Sequence, residues 1–101
     1  MSSKNLYGDP LEQCAASTGF LRDGKCKFSP RDVGQHLICA KMSSDFLTYT
    51  RSKGNSLPGL NEGDNWCICV GRYNQALMDN HAPEIVREST NEVAKAHIIQ
   101  H

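Results

Sequence analysis

Asp32, His36 and Cys39 lie within eight positions of one another. A carboxylate, an imidazole and a thiol are the groups that nucleophilic catalysis needs, as orienting acid, base and nucleophile. Their order and spacing match no established nucleophile motif. Each also has a plainer role, which is the leading expectation. Asp32 falls in the turn Pro30-Arg31-Asp32-Val33-Gly34 and suits a cap. His36 suits a backbone hydrogen bond, and Cys39 a packed core. Arg22 and Arg72 stand beside glycines, and a guanidinium binds an anion bidentately. Arg22, Asp32, His36 and Arg72 are therefore the candidate ligand-binding set, for an anionic or carbonyl compound. Ion pairs to Asp23 and Asp64 are the alternative for the two arginines.

The cysteines pose a separate question. There are five, at positions 14, 26, 39, 67 and 69 of 101 residues, too sparse for a secreted disulfide scaffold. No Cys-x-x-Cys pair marks a zinc site. Cys67 and Cys69 would sit ~6.6 Å apart along a regular strand, whereas two sulfurs on one tetrahedral zinc lie ~3.8 Å apart. If the segments His36–Lys41 and Trp66–Val70 are neighbouring strands, Ile38 and Ala40 share a core face with Trp66, Ile68 and Val70. Cys39, Cys67 and Cys69 then line the other face, where Cys14 or Cys26 from the N-terminal loops adds a fourth sulfur. That set is the candidate zinc site. Buried packing as small hydrophobes is the first expectation for these residues, zinc the second and thiol chemistry the third. All five are expected to be reduced.

These groups must be held by elements that the pattern also marks. Residues 1–35 are dense in turn formers and read as loops, with one short hairpin over Phe20–Arg22 turning at Asp23-Gly24. HLICAK (36–41) reads as a buried strand. A helix is predicted from about 44 to 53, with Ser43 as N-cap, Asp45 in its first turn and Gly54 as the left-handed stop. Trp66–Val70 alternates with a period of two and is the predicted central strand. Tyr73–Asn80 is a short helix, Glu84–Glu88 a third strand, and Ser89-Thr90-Asn91-Glu92 a capping box opening a last helix. The class is α+β: one small loop-rich domain over 1–101, a short sheet packed by two or three short helices. A pocket is expected where the N-terminal loops meet HLICAK, around Arg22, Asp32 and His36. Trp66 is expected in the core, and His81, His97 and His101 on the surface.

Composition excludes several functions. Eleven basic and eleven acidic residues cancel, which argues against a generally basic nucleic-acid binder. No apolar run reaches the ~18 residues that cross a bilayer. The start, MSSKNLYGD, has no apolar signal region, so the expected address is cytoplasmic, where thiols stay reduced. Neither nucleic acid nor membrane is expected as a partner. A small ligand or a protein remains.

Several segments, taken in order, carry a resemblance. They are Gly8-Asp9-Pro10-Leu11-Glu12-Gln13-Cys14, Thr18-Gly19-Phe20-Leu21-Arg22-Asp23-Gly24-Lys25-Cys26 and Asp32-Val33-Gly34-Gln35-His36-Leu37-Ile38-Cys39-Ala40. Phe46-Leu47, Gly54-Asn55, Pro58-Gly59-Leu60, Gly63-Asp64, Trp66-Cys67-Ile68-Cys69 and Arg72 follow. Over nearly its whole length the chain resembles the domain-of-unknown-function family numbered 2237. The resemblance implies a small stand-alone intracellular domain with no assigned activity. The chain departs from the family pattern in having Lys25 in place of a first cysteine, a shorter loop before Pro58, and Asn91 where the family typically shows histidine. The function expected is a ligand- or partner-binding domain. The alternatives are a domain with a structural zinc, and a small enzyme using the Asp32, His36 and Cys39 neighbourhood.

Overall fold

The computed structural model describes residues 3–55, 57 and 59–99; Pro58 and His101 lie outside them. Strand β1 (Ile38–Lys41) leads through Met42 and Ser43 into helix α1 (Ser44–Ser52). Strand β2 (Asn65–Ile68) is followed after one residue by helix α2 (Val70–Met78), and β3 (Glu84–Ile85) completes the sheet. Two 3₁₀ turns, Arg87–Ser89 and Glu92–Ala96, close the described chain. The architecture is α+β, a three-stranded antiparallel sheet in the order β2-β1-β3 with two helices.

The central strand is β1, and the Trp66 strand lies at the edge. β1 pairs with β2 along one edge and with β3 along the other, and burial follows that order. Ile38, Cys39 and Ala40 are all fully buried, so β1 is covered on both faces, whereas Trp66 is only half-buried. Register pairs Ile38 with Ile68, Cys39 with Cys67 and Ala40 with Trp66. One face therefore carries Ile38, Ala40 and Ile68 into the main core with Leu37, Met42 and Phe46. The other face carries sulfur.

The α1 expectation matches its observed extent closely. Ser43 Oγ accepts the Phe46 N–H at 3.0 Å, Asp45 sits in the first turn, and Gly54 takes φ +83° just past the end. Ser43→Ala leaves that N–H without its cap and is expected to lower stability by about 1 kcal/mol, read as a shift in urea midpoint at constant slope. Phe46, Tyr49 and Thr50 form the buried face. The Tyr49 hydroxyl bonds the Gln75 carbonyl and the Asp79 carboxylate, locking α1 to α2.

The N-terminal region behaves as loops, but the hairpin at Asp23-Gly24 does not form. Only isolated bridges, Lys4 to Pro10 and Asn5 to Asn91, occur there among the described residues. The last helix is 3₁₀, and its N-cap is Asn91 rather than Ser89. Asn91 Oδ1 accepts the Val93 N–H, and Asn91 Nδ2 donates to the Cys26 carbonyl. A buried amide thus ties the C-terminal turn to the cysteine-bearing loop.

Candidate functional site

Asp32 is buried, and both its oxygens are directed at His36. Oδ2 accepts the His36 backbone N–H at 2.7 Å, and Oδ1 lies 2.8 Å from His36 Nδ1. An ionised carboxylate only accepts, so Nδ1 carries a proton. That leaves Nε2 facing outward, and 3.1 Å from it lies Cys69 Sγ. The structure therefore brings together a thiol, an imidazole and a carboxylate in line.

The thiol is Cys69, not Cys39. Cys39 is joined to Cys14 by a disulfide on the far face of the sheet, as Cys26 is to Cys67. The expectation of five reduced cysteines is corrected: among them only Cys69 is free. The proposed metal set is corrected as well, because Cys69 is separated from Cys14, Cys26, Cys39 and Cys67, which cluster without it. The cause is where β2 stops. Had the strand run to Val70, Cys69 would lie in phase with Cys67. It ends at Ile68, and Cys69 becomes the N-cap of α2.

Two loop features hold His36 against that helix. Gln35 sits at φ +53°, an uncommon conformation for a non-glycine residue. Its carbonyl accepts the N–H of Val70, the first residue of α2, at 3.1 Å. The loop carrying the imidazole is thereby bonded to the helix carrying the thiol. Gly34 supplies the clearance: a Cβ there would stand 3.0 Å from the His36 ring and 3.1 Å from Cys69 Sγ. Any side chain at 34 pushes on the pair itself.

The thiol–imidazole bond first, and then the Asp32 carboxylate, push the His36 pKa up to about 9 against the opposing effect of partial burial. The sign of the resulting pH dependence follows from linkage. Below pH ~6.5 the histidine is protonated in folded and unfolded chains alike, and its stabilisation is fully present. That contribution falls as pH rises through the folded value of about 9. Because the side chain is 37% exposed, solvent screens the effect and keeps it modest. Thermal melts between pH 6 and 10 are expected to show this loss in the parent protein and not in His36→Gln.

The site opens onto a cleft with space of about 90 Å³ for water-sized molecules, bounded by Phe46, Leu57, Trp66 and Ile68 on the apolar side and by Asn55 and Arg72. Arg72 thus shares the cleft with His36 and Cys69. Arg22 stands outside it, its guanidinium 5.9 Å above the ring of Trp66, which is half-buried, packs against the core and also walls the cleft. In the first turn of α2, the N–H groups of Gly71 and Arg72 have no acceptor among the described residues. They lie one turn or less from Cys69, where a developing oxyanion needs donors. Of the remaining histidines, His81 pairs with Asp45 at 2.9 Å and His97 is exposed.

Sequence reasoning paired Asp32 with His36 but missed Cys69. A usable signal was present. Val70, Tyr73 and Ala76, the buried residues of α2, continue one helical stripe at intervals of three. Extending the stripe back to Val70 makes Cys69 the cap. Reading Trp66–Val70 as one strand concealed it.

The chain is thus an α+β domain that brings Cys69, His36 and Asp32 into line at the N-terminus of α2. The chain belongs to the family described as "Uncharacterized protein conserved in bacteria (DUF2237)", which it matches over residues 4–101. No curated protein matches the chain. Among the described residues no helix is long and apolar enough to cross a membrane.

Proposed function

We propose that Cys69 is a nucleophile that attacks the acyl carbon of a small ester, thioester or activated amide, in a cytoplasmic enzyme or binding protein of thiol-dependent acyl transfer. The observation that carries this reading is the line from Cys69 Sγ through the His36 ring to buried Asp32, open to a cleft. The Cys69 proton passes to His36 Nε2, and Asp32 holds the resulting imidazolium in place. The thiolate adds to the carbonyl carbon, and the oxyanion meets the free N–H groups of Gly71 and Arg72. His36 then gives its Nε2 proton to the leaving group, and the acyl chain stays on sulfur as a thioester. Water or an acceptor nucleophile releases it, with the neutral imidazole now acting as base.

The cleft supports a compact acyl group with an apolar part against Phe46 and Trp66. Arg72 suits a carboxylate or phosphate on the same substrate.

A 4-nitrophenyl acyl ester tests the reading. The expected result is a burst of one nitrophenolate per chain, with the matching acyl mass on the peptide containing Cys69. Cys69→Ser should abolish the burst. A burst that survives in Cys69→Ser, or acylation spread over surface lysines, would refute the proposal.

A further inference from the structure

The four remaining sulfurs lie together on the sheet face turned away from the apolar core. Cys26, Cys39 and Cys67 are at most 1% exposed and Cys14 is 6% exposed. Cys14, Cys26 and Cys67 place their sulfurs within 4.8 Å of one another, and Cys39 is bonded to Cys14. Cys39 and Cys67 are direct cross-strand partners. The Cys39 N–H donates to Thr90 Oγ1, and its carbonyl accepts from Val86. Both backbone groups thus point away from β2, which makes Cys39 and Cys67 a non-hydrogen-bonded pair, the kind whose side chains approach most closely.

We propose that, once both disulfides are reduced, Cys14, Cys26, Cys39 and Cys67 bind one zinc ion as a tetrathiolate centre. The reductant is a thiol of the glutathione or dithiol class. Each protein disulfide takes two electrons and two protons from two reductant thiols, which leave as a disulfide. Four cysteine thiols result, and zinc displaces their four protons. Zinc fits because it takes four thiolates tetrahedrally, with sulfurs ~3.8 Å apart; Cys14, Cys26 and Cys67 already lie within 4.8 Å of one another, and Cys39 is bonded to Cys14. Two ligands stand on paired strands. The other two lie on loops that, among the described residues, form no helix or strand around positions 14 and 26. Reduction alone would release those loops, and the metal would hold them in the same place. In a reducing compartment the zinc form is then the crosslinked one, and the disulfide form is its oxidised counterpart. Cys69 takes no part, since it caps α2 beside His36.

The test reduces the full chain with a phosphine under argon, adds zinc, removes the excess, and measures bound metal and alkylation. The expected result is one zinc per chain, with iodoacetamide reaching only Cys69 until a chelator is added, and then all five cysteines. Cobalt in place of zinc should give intense thiolate charge-transfer absorption. Cys69→Ser should bind zinc as the parent does. Cys67→Ser should bind at least tenfold more weakly, and Cys26→Ser provides the same reading if Cys67→Ser does not fold. Reduced parent protein without stoichiometric zinc, or zinc lost in Cys69→Ser, would overturn the proposal.

Discussion

Asp32→Asn is expected to slow acylation of Cys69 at neutral pH by about 10²–10⁴-fold, the range by which a positioned acid–base partner accelerates proton transfer. Both Asp32 oxygens are committed to His36. An amide keeps one acceptor and turns two N–H donors toward groups that also donate. If its oxygen stays on the backbone N–H, its NH₂ faces Nδ1 and favours the tautomer with the proton on Nε2. That tautomer cannot take a proton from the thiol. The same substitution leaves buried groups poorly paired and should also cost stability, about 1–3 kcal/mol. Melting temperature alone therefore does not separate a catalytic from a structural Asp32. The decisive quantity is the pre-steady-state acylation rate per folded molecule, well below the melting transition. A rate unchanged in folded Asp32→Asn would remove Asp32 from the mechanism.

Opening the disulfides without metal is the other large effect. Cys14–Cys39 spans 25 residues and Cys26–Cys67 spans 41. On the chain-entropy account these crosslinks contribute about 3.5 and about 4 kcal/mol. Domains of this kind have about 5–15 kcal/mol in total, so each crosslink is a large share. Cys14→Ser with Cys39→Ser should lower the unfolding free energy by about 2–4 kcal/mol, and reduction of both disulfides with a chelator present should leave the chain largely unfolded at 37 °C. Urea titrations of the two states check this. A loss under about 1 kcal/mol for the double variant would mean that the sulfur cluster contributes little to holding the fold.

Much of the architecture was readable because local physics and tertiary structure agree there. Ser43, Asp45 and Gly54 bound α1, and the alternation around Trp66 placed Cys67 and Cys39 on one face. Strand order was less accessible: β1 is central because β2 and β3 both pair with it, and which segments meet at its two edges is tertiary. Reduced cysteines were inferred from the expected compartment, a prior with no information about which sulfurs meet. The site was half legible. Asp32 and His36 are four residues apart in one turn, so their pairing is local. Cys69 is 33 residues from His36 and reaches it only because a strand ends one residue before a helix begins. Gln35 at positive φ is the join between the two segments, and a glutamine announces no such backbone.

The most direct measurement of the central claim is the pH–rate profile for alkylation of Cys69 by iodoacetamide, followed by mass spectrometry on the parent protein and on His36→Gln. With Cys69 Sγ 3.1 Å from His36 Nε2, the parent should already react measurably at pH 6, with a single addition at Cys69. His36→Gln should react at least tenfold more slowly at that pH and recover only as the solution becomes alkaline, like an ordinary thiol of pKa about 8.5. Two superimposable profiles, both rising through pH 8 to 9, would show that His36 does not activate Cys69 and would contradict the reading of this site.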